Sequence, residues 1–507
     1  MTIEIINTFD EIRKSYNGSS CRTERSKIGQ FLTPLNIARY MASLFRHERD
    51  HVRLLDAGAG TGVLFATYIE TLVTIKKPPT SIYVVAYEND QRILPYLEET
   101  MKRCELVCKS AGIEFRGEIR VEDFITAALS LSEENLFYKQ DEKFTHGILN
   151  PPYKKINGRS LTRRLLNKAG IEVSNLYAAF VWLSARLIVS GGELVAITPR
   201  SFCNGPYFRR FRTELLKMMR LHHIHIFDSR KKAFADDDVL QENVIYYMVK
   251  EERRPERLII SSSEGSDFDK SINRLVLYDT VVSPKDRDAF IHLVLSEADN
   301  HIMNKVETFA TSLSELGIDV STGRVVDFRA QRYLRLIPEK EAVPLIYPCH
   351  FISGFVSWPS DSVKKPNAIV ALPQTKELLL PSGYYVLTKR FTTKEERRRV
   401  VAAIFDPKRV RSTFVGFENH MNYFHIGGKG LSPKLAKGLA LYLNSSIVDR
   451  YFRLFSGHTQ VNATDLRRMP YPSIKQLFRL GTYVKHQMPD QATVDEILEK
   501  ECAAHDE

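Results

Sequence analysis

The chain has 507 residues, of which 43% are hydrophobic and 26% are charged. At roughly 150 residues per domain this length predicts several domains, and the composition is that of a folded globular protein, which excludes a disordered chain. Lysine and arginine outnumber aspartate and glutamate by 72 to 61, a formal net charge of +11. This excess favours a polyanionic partner, with nucleic acid as the first candidate.

The six cysteines are scattered along the chain. This excludes a disulfide framework and favours a reducing cytoplasmic location. We expect no metal site, because Cys104 and Cys108 have no second pair to complete a tetrahedron and His222, His223 and His225 lie in a predicted strand. We also expect neither an export signal nor a membrane span, because the N-terminus lacks a basic region and no apolar run is long enough.

Between about residues 28 and 250, short β-branched runs alternate with longer helical patterns, which is typical of a parallel sheet covered by helices. The predicted strands are 53–56, 81–87, 118–121, 144–149, 193–198, 221–227 and 242–249. The predicted helices are 63–75, 91–111, 176–189 and 208–220. Gly191 and Gly192 are expected to end the third of these helices.

The pattern changes after residue 250, where charged and serine-rich stretches precede shorter mixed elements. We therefore predict an N-terminal helical segment over 1–28, a catalytic domain over 29–285 and a second, mixed α/β domain over 286–507. In the second domain the amphipathic pattern predicts one helix over 439–455.

A glycine-rich loop, Asp56 to Gly62, lies between the first predicted strand and its helix, with glycines at 58, 60 and 62. Glycine lets the backbone turn sharply and lets a ligand approach it, at the place where doubly wound sheets bind nucleotides. The spacing differs from the dinucleotide-binding pattern and no P-loop lysine follows, so a mononucleoside-like ligand is favoured. Glu88 ends the second strand, where such folds place an acid for ribose hydroxyls.

The most informative string, Asn150-Pro151-Pro152-Tyr153, follows the fourth predicted strand. Its prolines fix the backbone and lack donors, which leaves the Pro151 carbonyl and the Asn150 side-chain carbonyl as two acceptors for one planar NH2 group. Holding both hydrogens favours pyramidalisation of the nitrogen and directs its lone pair at an electrophile, by orientation and electrostatics without a strong base. Tyr153 supplies a face on which a ring can stack.

Taken with Gly29-Gln30-Phe31-Leu32-Thr33-Pro34 and Asp123-Phe124, these motifs occur in the order that resembles the gamma class of S-adenosylmethionine-dependent N6-adenine DNA methyltransferases of restriction-modification type. The resemblance implies an α/β fold with two parts. The first is a Rossmann-like methyltransferase domain, with a mostly parallel twisted sheet and helices on both faces, and the second is a mixed α/β C-terminal target recognition domain. Double-stranded DNA is the implied partner.

The resemblance also implies residue roles. For S-adenosylmethionine it matches Thr33 to the methionine moiety, Asp56 with Gly58 and Gly60 to the amino-acid end, Glu88 to the ribose, and Asp123 with Phe124 to the adenine. For the target base it matches Asn150, Pro151, Pro152 and Tyr153, with Phe234 stacking on the opposite face. Such an enzyme must flip its base out of the duplex, because the reacting nitrogen lies inside the stack.

Several alternatives share this chemistry. The tetrapeptide also occurs in methyltransferases acting on RNA adenine or on a protein glutamine amide, and N4-cytosine methylation uses the same kind of amino group. A catalytically silent DNA-binding protein is the non-enzymatic alternative. C5-cytosine methylation is disfavoured, because Cys349 follows Glu242-Asn243-Val244 where that chemistry needs the reverse order.

In the second domain, basic and amide side chains of the kind that contact phosphates and base edges predict a DNA-binding set: Lys389, Arg390, Arg409, Arg411 and Asn422. The string Ser456 to Asn462 resembles the closing segment of target recognition domains. About 28 residues precede Gly29, too few for a fused nuclease of typical size, so we expect any cognate restriction endonuclease to be a separate protein.

Overall fold

The computed structural model describes residues 11–16, 32–132, 143–227, 242–284, 286–293, 296–309, 311–360, 365–392, 396–455 and 460–503. The chain divides into two units, unit 1 (Met1–Leu295) and unit 2 (Ser296–Glu507). The division falls somewhat later than the boundary predicted after residue 285. The roles assigned to the two domains stay predictions.

Unit 1 is built on one nine-stranded sheet, whose strands are β1 (His51–Ala57), β2 (Ser81–Tyr87), β3 (Glu114–Arg120), β4 (Phe144–Leu149), β5 (Ile188–Pro199), β6 (Arg220–Phe227), β7 (Asn243–Val249), β8 (Arg257–Ser263) and β9 (Ile272–Leu277). Their order is β3-β2-β1-β4-β5-β7-β6-β8-β9. β1 pairs in parallel with both β2 and β4, so the order in which the chain adds strands reverses between β1 and β4. Open α/β sheets bind ligands at such a switch point.

Residues 11–16 are helical, and the described helices of unit 1 that follow are α1 (Leu35–Ser43), α2 (Val63–Thr74), α3 (Leu94–Ser110), α4 (Phe124–Ser132), α5 (Leu161–Lys168), α6 (Leu176–Leu187), α7 (Arg209–Met218) and α8 (Tyr278–Val281). One core cluster joins buried side chains of α1, α2 and α3 to the sheet. Packing of this kind stabilises amphipathic helices more than their intrinsic propensity does. The predicted α/β fold class, with a mostly parallel sheet, is confirmed.

Two local predictions in unit 1 are wrong. The helix expected over 176–189 ends at Leu187, and Gly191 and Gly192 lie inside β5 instead of ending the helix. There Gly191 has φ +70° and its amide donates to the carbonyl of Lys250. The glycines therefore lie at an irregular point of the strand, where a positive φ is needed. The third strand begins at Glu114, earlier than predicted.

Unit 2 contains two sheets of short strands: β10 (Asp319–Thr322), β11 (Leu334–Arg335), β12 (Ala342–Ile346), β13 (Phe351–Ile352), β14 (Phe355–Val356), β15 (Ala368–Val370), β16 (Leu379–Pro381), β17 (Tyr385–Lys389), β18 (Ala402–Phe405), β19 (Phe414–Phe417) and β20 (Met421–His425). The six-stranded sheet has the order β10-β20-β17-β18-β14-β13 and the five-stranded sheet β11-β15-β12-β19-β16. The mixed α/β character predicted for this part of the chain is confirmed.

The helices of unit 2 are α9 (Glu297–Glu307), α10 (Asp327–Ala330), α11 (Pro433–Leu443), α12 (Ser446–Phe455), α13 (Ala463–Arg468), α14 (Ile474–Tyr483) and α15 (Gln491–Ala503). The single helix predicted over 439–455 is therefore two helices, α11 and α12. Asn444 separates them, and its side-chain amide donates to the carbonyls of Ala402 and Ala440. Among the described helices of the chain, none is long and apolar enough to cross a membrane.

Candidate active site

A cavity of about 430 Å³ opens at the carboxyl ends of β1, β2 and β4. Its wall brings together most of the predicted cofactor residues and part of the Asn150 to Tyr153 string: Thr33, Gly58, Gly60, Glu88, Asp123, Phe124, Asn150 and Pro152. These residues are far apart in sequence but follow neighbouring strands, whose carboxyl ends meet at one edge of a parallel sheet. The volume is that of a small-molecule site.

The glycine-rich loop forms the floor of this cavity with unusual backbone angles. Gly58, Gly60 and Gly62 have φ values of +79°, +56° and +84°, a region that side chains other than glycine rarely adopt. The amides of Gly58 and Ala59 both donate to the carbonyl of Tyr87 at 2.9 Å. The loop is therefore tied to the end of β2, and its backbone faces the ligand space.

Glu88 is 7% exposed and accepts three backbone hydrogen bonds. The Gly60 amide donates to Oε2 at 2.9 Å, while the amides of Asn89 and Asp90 donate to Oε1 at 2.8 and 2.9 Å. Burial raises the pKa of Glu88, and these three amides oppose the rise. Since a carboxylate offers about four acceptor positions, Oε2 retains one position beyond the Gly60 bond, which fits a ribose hydroxyl.

Asp56, at the end of β1, is fully buried. The cavity wall, as far as the described residues form it, does not include Asp56. Burial raises its pKa to about 8, the nearby Glu88 carboxylate adds to the rise, and the backbone of Phe65 opposes it. Asp56 is the first residue of the glycine-rich loop, and its contact with the amino-acid end of the cofactor stays a prediction.

Asp123 and Phe124 begin α4 at the opposite wall. One carboxylate oxygen of Asp123 accepts from the Thr126 amide and hydroxyl, both at 2.8 Å, so Oδ2 is the oxygen not used by this helix cap. The Phe124 ring is 3% exposed and packs between Tyr87 and Phe180, with ring centroids 5.1 and 5.0 Å apart. An acceptor beside an aromatic wall fits a purine.

Several residues of the cavity were not predicted from the sequence. Phe180 on α6 lines the wall, as do Asp90 and Arg92 after β2, which form an ion pair at 2.9 Å. Asp90 lies only two residues beyond Glu88, so proximity to that strand end was an available signal. Phe180 carries no such signal, because its place depends on how α6 packs.

Asn150 follows β4 and is joined to Thr33 across the cavity wall. The Asn150 amide nitrogen donates to the Thr33 hydroxyl oxygen at 2.9 Å, and Thr33 is 3% exposed. The Tyr153 hydroxyl donates to the carbonyl of Ile197 at 3.3 Å, and its ring meets Tyr177 edge-on with centroids 6.2 Å apart. These two contacts hold the Tyr153 ring in place at the end of the Asn150 to Tyr153 string.

Two predicted elements lie outside the described residues. One is Phe234, matched to the second stacking aromatic, and the other is the stretch Gly29 to Phe31 of the N-terminal motif. Part of the predicted closing segment, residues 456–459, also lies outside them. These elements stay predictions.

In unit 2, the predicted DNA-binding residues occupy different settings. Lys389 ends β17 and Arg390 follows it, half-buried, with its guanidinium donating to the Asn419 carbonyl at 3.3 Å. Arg409 lies over the Phe355 ring, 3.8 Å from its centroid. Arg409 and Arg411 are both exposed. The charge of Arg411 is therefore available to a polyanion, whereas the Arg409 guanidinium also donates to the His486 carbonyl and lies 3.8 Å from the Asp406 carboxylate.

Asn422 requires a correction. It is fully buried in β20, where its amide nitrogen donates to the Val461 carbonyl at 2.8 Å and its amide oxygen accepts from the Thr322 hydroxyl at 3.2 Å. Both ends of the side chain are thus used inside unit 2. Asn422 stabilises this unit, and the prediction that it contacts DNA is wrong.

Comparison with known proteins places the chain among methyltransferases. Residues 82–234 match the family described as Eco57I restriction-modification methylase. The type II methyltransferase M.PstI of Providencia stuartii is 43% identical over 490 residues, 96% of each chain. The type II methyltransferase M.BsuBI of Bacillus subtilis is 43% identical over 502 residues, 98% of each chain. The chain belongs to this family of type II methyltransferases.

Among solved structures, the type IIG restriction endonuclease BpuSI aligns with 94% of this chain and 64% of its own, at 15% identity and a TM-score of 0.44. Membership of the type II methyltransferase family confirms the predicted resemblance to restriction-modification methyltransferases and the predicted S-adenosylmethionine dependence. The protein is therefore a DNA methyltransferase of restriction-modification type.

Proposed function

We propose that this methyltransferase transfers a methyl group to N6 of an adenine flipped out of duplex DNA. The observation that carries the proposal is the shared cavity: Asn150 and Pro152 line the same 430 Å³ space as the glycine loop and Glu88. A base amine held by the Asn150 to Tyr153 string then lies beside the bound cofactor. That juxtaposition is what direct transfer to an amino nitrogen requires.

S-adenosylmethionine, when bound, supplies an electrophilic methyl group. The residues that fit it are Glu88 for a ribose hydroxyl, Asp123 with Phe124 for the adenine, and the backbone of the glycine loop for the amino-acid end. Left-handed glycines at 58 and 60 support this assignment, since a side chain at Gly60 would come within 3.0 Å of Leu32 and narrow the cavity.

The two amine hydrogens donate hydrogen bonds to the side-chain carbonyl of Asn150 and to the backbone carbonyl of Pro151. This orients the nitrogen lone pair toward the methyl group and stabilises the positive charge that develops on nitrogen. Tyr153 offers a stacking face on one side of the base. We assign Phe234 to the other side on the resemblance alone.

The experiment is transfer of labelled methyl from S-adenosylmethionine to unmethylated genomic duplex DNA, followed by nucleoside analysis. Asn150→Ala should abolish transfer and leave the dissociation constant for S-adenosylmethionine within a few-fold of wild type. The matched control is Asn273→Ala, an exposed asparagine on β9. RNA and total protein serve as parallel substrates.

Label recovered as N6-methyladenine in DNA, and absent with Asn150→Ala, would establish the proposal. Label in RNA, in protein glutamine or at cytosine N4 would replace it with the corresponding amine substrate. Cofactor and DNA binding without transfer would identify a silent DNA-binding protein.

We further propose that Lys389, Arg390, Arg409 and Arg411 contact DNA phosphates, and that a cognate restriction endonuclease is a separate protein. The positive charge of these side chains and the exposure of Arg409 and Arg411 support the first proposal. Removing one phosphate contact should lower the slope of log affinity against log salt by about one. Arg411→Gln tests this on an exposed member of the set.

A further inference from the structure

The hydrogen bond between Thr33 and Asn150 joins two segments 117 residues apart. Its donor is the Asn150 amide nitrogen and its acceptor is the Thr33 hydroxyl oxygen, 2.9 Å away. Resemblance alone matches Thr33 to the methionine moiety of the cofactor. The hydrogen bond gives Thr33 a second partner, on the side chain that the proposed reaction needs most.

An asparagine amide has one acceptor end and one donor end, and a rotation by half a turn exchanges them. Only the orientation with the carbonyl toward the target amine accepts a hydrogen from it. In the other orientation the NH2 group of Asn150 opposes the NH2 group of the base, and two donors repel. In the structure the Asn150 nitrogen is anchored on Thr33, so the amide is held in the reactive orientation before the base arrives. The Thr33 hydroxyl can also donate, and the repulsion between the two NH2 groups disfavours the other orientation once the base is bound.

Thr33 is itself held in place. It lies two residues before α1, and the first turn of that helix closes with a bond from the Ala38 amide to the Pro34 carbonyl at 3.0 Å. Ile37 and Met41 of α1 are buried in the core cluster of the sheet. At the far end of α1, the Tyr40 hydroxyl bonds the Ser261 hydroxyl on β8 at 2.9 Å. The segment that follows Thr33 is thus anchored to the core of unit 1.

We propose that Thr33 is a positioning residue, whose hydroxyl oxygen fixes the Asn150 amide with its carbonyl toward the target amine. The inference rests on the proposed function. It assigns to Thr33 an effect on the transfer step at saturating cofactor, which a residue that only contacts the cofactor would not have.

The test compares Thr33→Val, which keeps the shape and removes the hydroxyl, with Thr33→Ser, which keeps the hydroxyl. Single-turnover methyl transfer to duplex DNA is measured at saturating S-adenosylmethionine, and the dissociation constant of S-adenosylmethionine is measured by calorimetry. Thr33→Val should lower the transfer rate about tenfold, as expected for loss of one orienting hydrogen bond. Thr33→Ser should retain most of the wild-type rate.

A double-mutant comparison sharpens the assignment. Asn150→Ser removes the amide but keeps one acceptor oxygen, so some transfer remains to be measured. In that background, adding Thr33→Val should lower the transfer rate less than it does in the wild type, because no amide remains to orient. Thermal unfolding of Thr33→Val close to that of wild type accompanies the expected result, and Thr33→Ala, which also removes the hydroxyl, replaces it in the test if the valine variant fails to fold.

Two results would overturn the inference. One is an unchanged transfer rate in Thr33→Val. The other is a weakened S-adenosylmethionine affinity with a normal rate at saturation, which would limit Thr33 to binding the cofactor. Failure of the proposed function is a separate outcome, since wild-type protein would then form no N6-methyladenine in DNA whatever residue stands at position 33.

Discussion

Replacing Glu88 with glutamine tests the cofactor site most directly. The substitution keeps the shape but turns one of two acceptor oxygens into an NH2 group, facing backbone amides that are themselves donors. The best orientation places the NH2 group at the Oε2 position, where it loses the Gly60 bond and keeps the two bonds from Asn89 and Asp90. Hydrogen bonds to charged groups contribute about 1.5–3 kcal/mol each.

We therefore expect Glu88→Gln to change the free energy of unfolding by only about 1 kcal/mol, because the lost Gly60 bond is offset by removal of a buried charge, whose desolvation raises the pKa of Glu88. Removing the same acceptor from a ribose hydroxyl should raise the dissociation constant for S-adenosylmethionine by roughly 10- to 100-fold. Urea unfolding and calorimetric titration measure the two effects.

The matched control is Glu99→Gln on α3, where the carboxylate is half-exposed and pairs with Arg103 at 2.7 Å. Such a surface pair contributes about 0–1 kcal/mol, so both measurements should stay near wild type. Wild-type affinity in Glu88→Gln would refute the placement of Glu88 at the ribose. A loss of stability above about 3 kcal/mol would refute the argument that removal of the buried charge offsets the lost Gly60 bond.

Three further predictions concern stability. Because burial raises the pKa of Asp56 to about 8 in the folded protein, the folded state keeps a proton that the unfolded chain loses above about pH 4, so wild-type stability falls as pH rises toward 8. Asp56→Asn should abolish that fall, and an unchanged pH slope in urea unfolding would contradict it. Burial lowers the pKa of His225 to about 3, so stability should fall as pH drops below 6.5, by up to about 1.4 kcal/mol per pH unit, and His225→Phe should flatten that slope. Gly62→Ala should cost about 2–4 kcal/mol, since its φ is +84° and its Cβ would lie 2.6 Å from the Phe65 ring. Gly112→Ala has a similar φ of +72° with nothing within 4 Å, and equal destabilisation of the two variants would refute the steric argument.

The grouping of the motif residues around one cavity could be predicted because parallel strands bring short motifs to one edge, and their roles toward a cofactor stay predictions. The glycine loop, Glu88, Asp123 and Asn150 each follow a different strand, and a periodic β-branched pattern is enough to recognise those strands. Because β1 and β4 are parallel neighbours, the residues that follow them must lie close together, and no other contact has to be known to predict this. Prediction therefore succeeded where position along a strand determines position in space.

Prediction was poorer where packing decides. Phe180 reaches the cavity wall only through the way α6 lies on the sheet, and Asn422 is an exposed-looking polar residue that becomes fully buried between β10 and Val461. Both depend on contacts between residues distant in sequence. Gly191 shows a limit of prediction from local sequence. A glycine after an apolar helix predicts a helix end, but the same pattern also occurs where a bulged strand has already begun.

The switch point between β1 and β4 explains how one cavity could hold both the cofactor and the amine of the proposed reaction. The glycine loop follows β1 and lines the cavity, and Asn150 follows β4 and lines the same cavity. The proposed cofactor and amine sites therefore lie at the ends of two adjacent strands. The segment before α1 contacts both of these places. The Thr33 hydroxyl accepts a hydrogen bond from Asn150, and the neighbouring Leu32 side chain lies 3.0 Å from the position that a Cβ would take at Gly60. A shift of the segment before α1 would therefore disturb both sites together. In the proposed function, this one short segment links cofactor binding to the orientation of the amine.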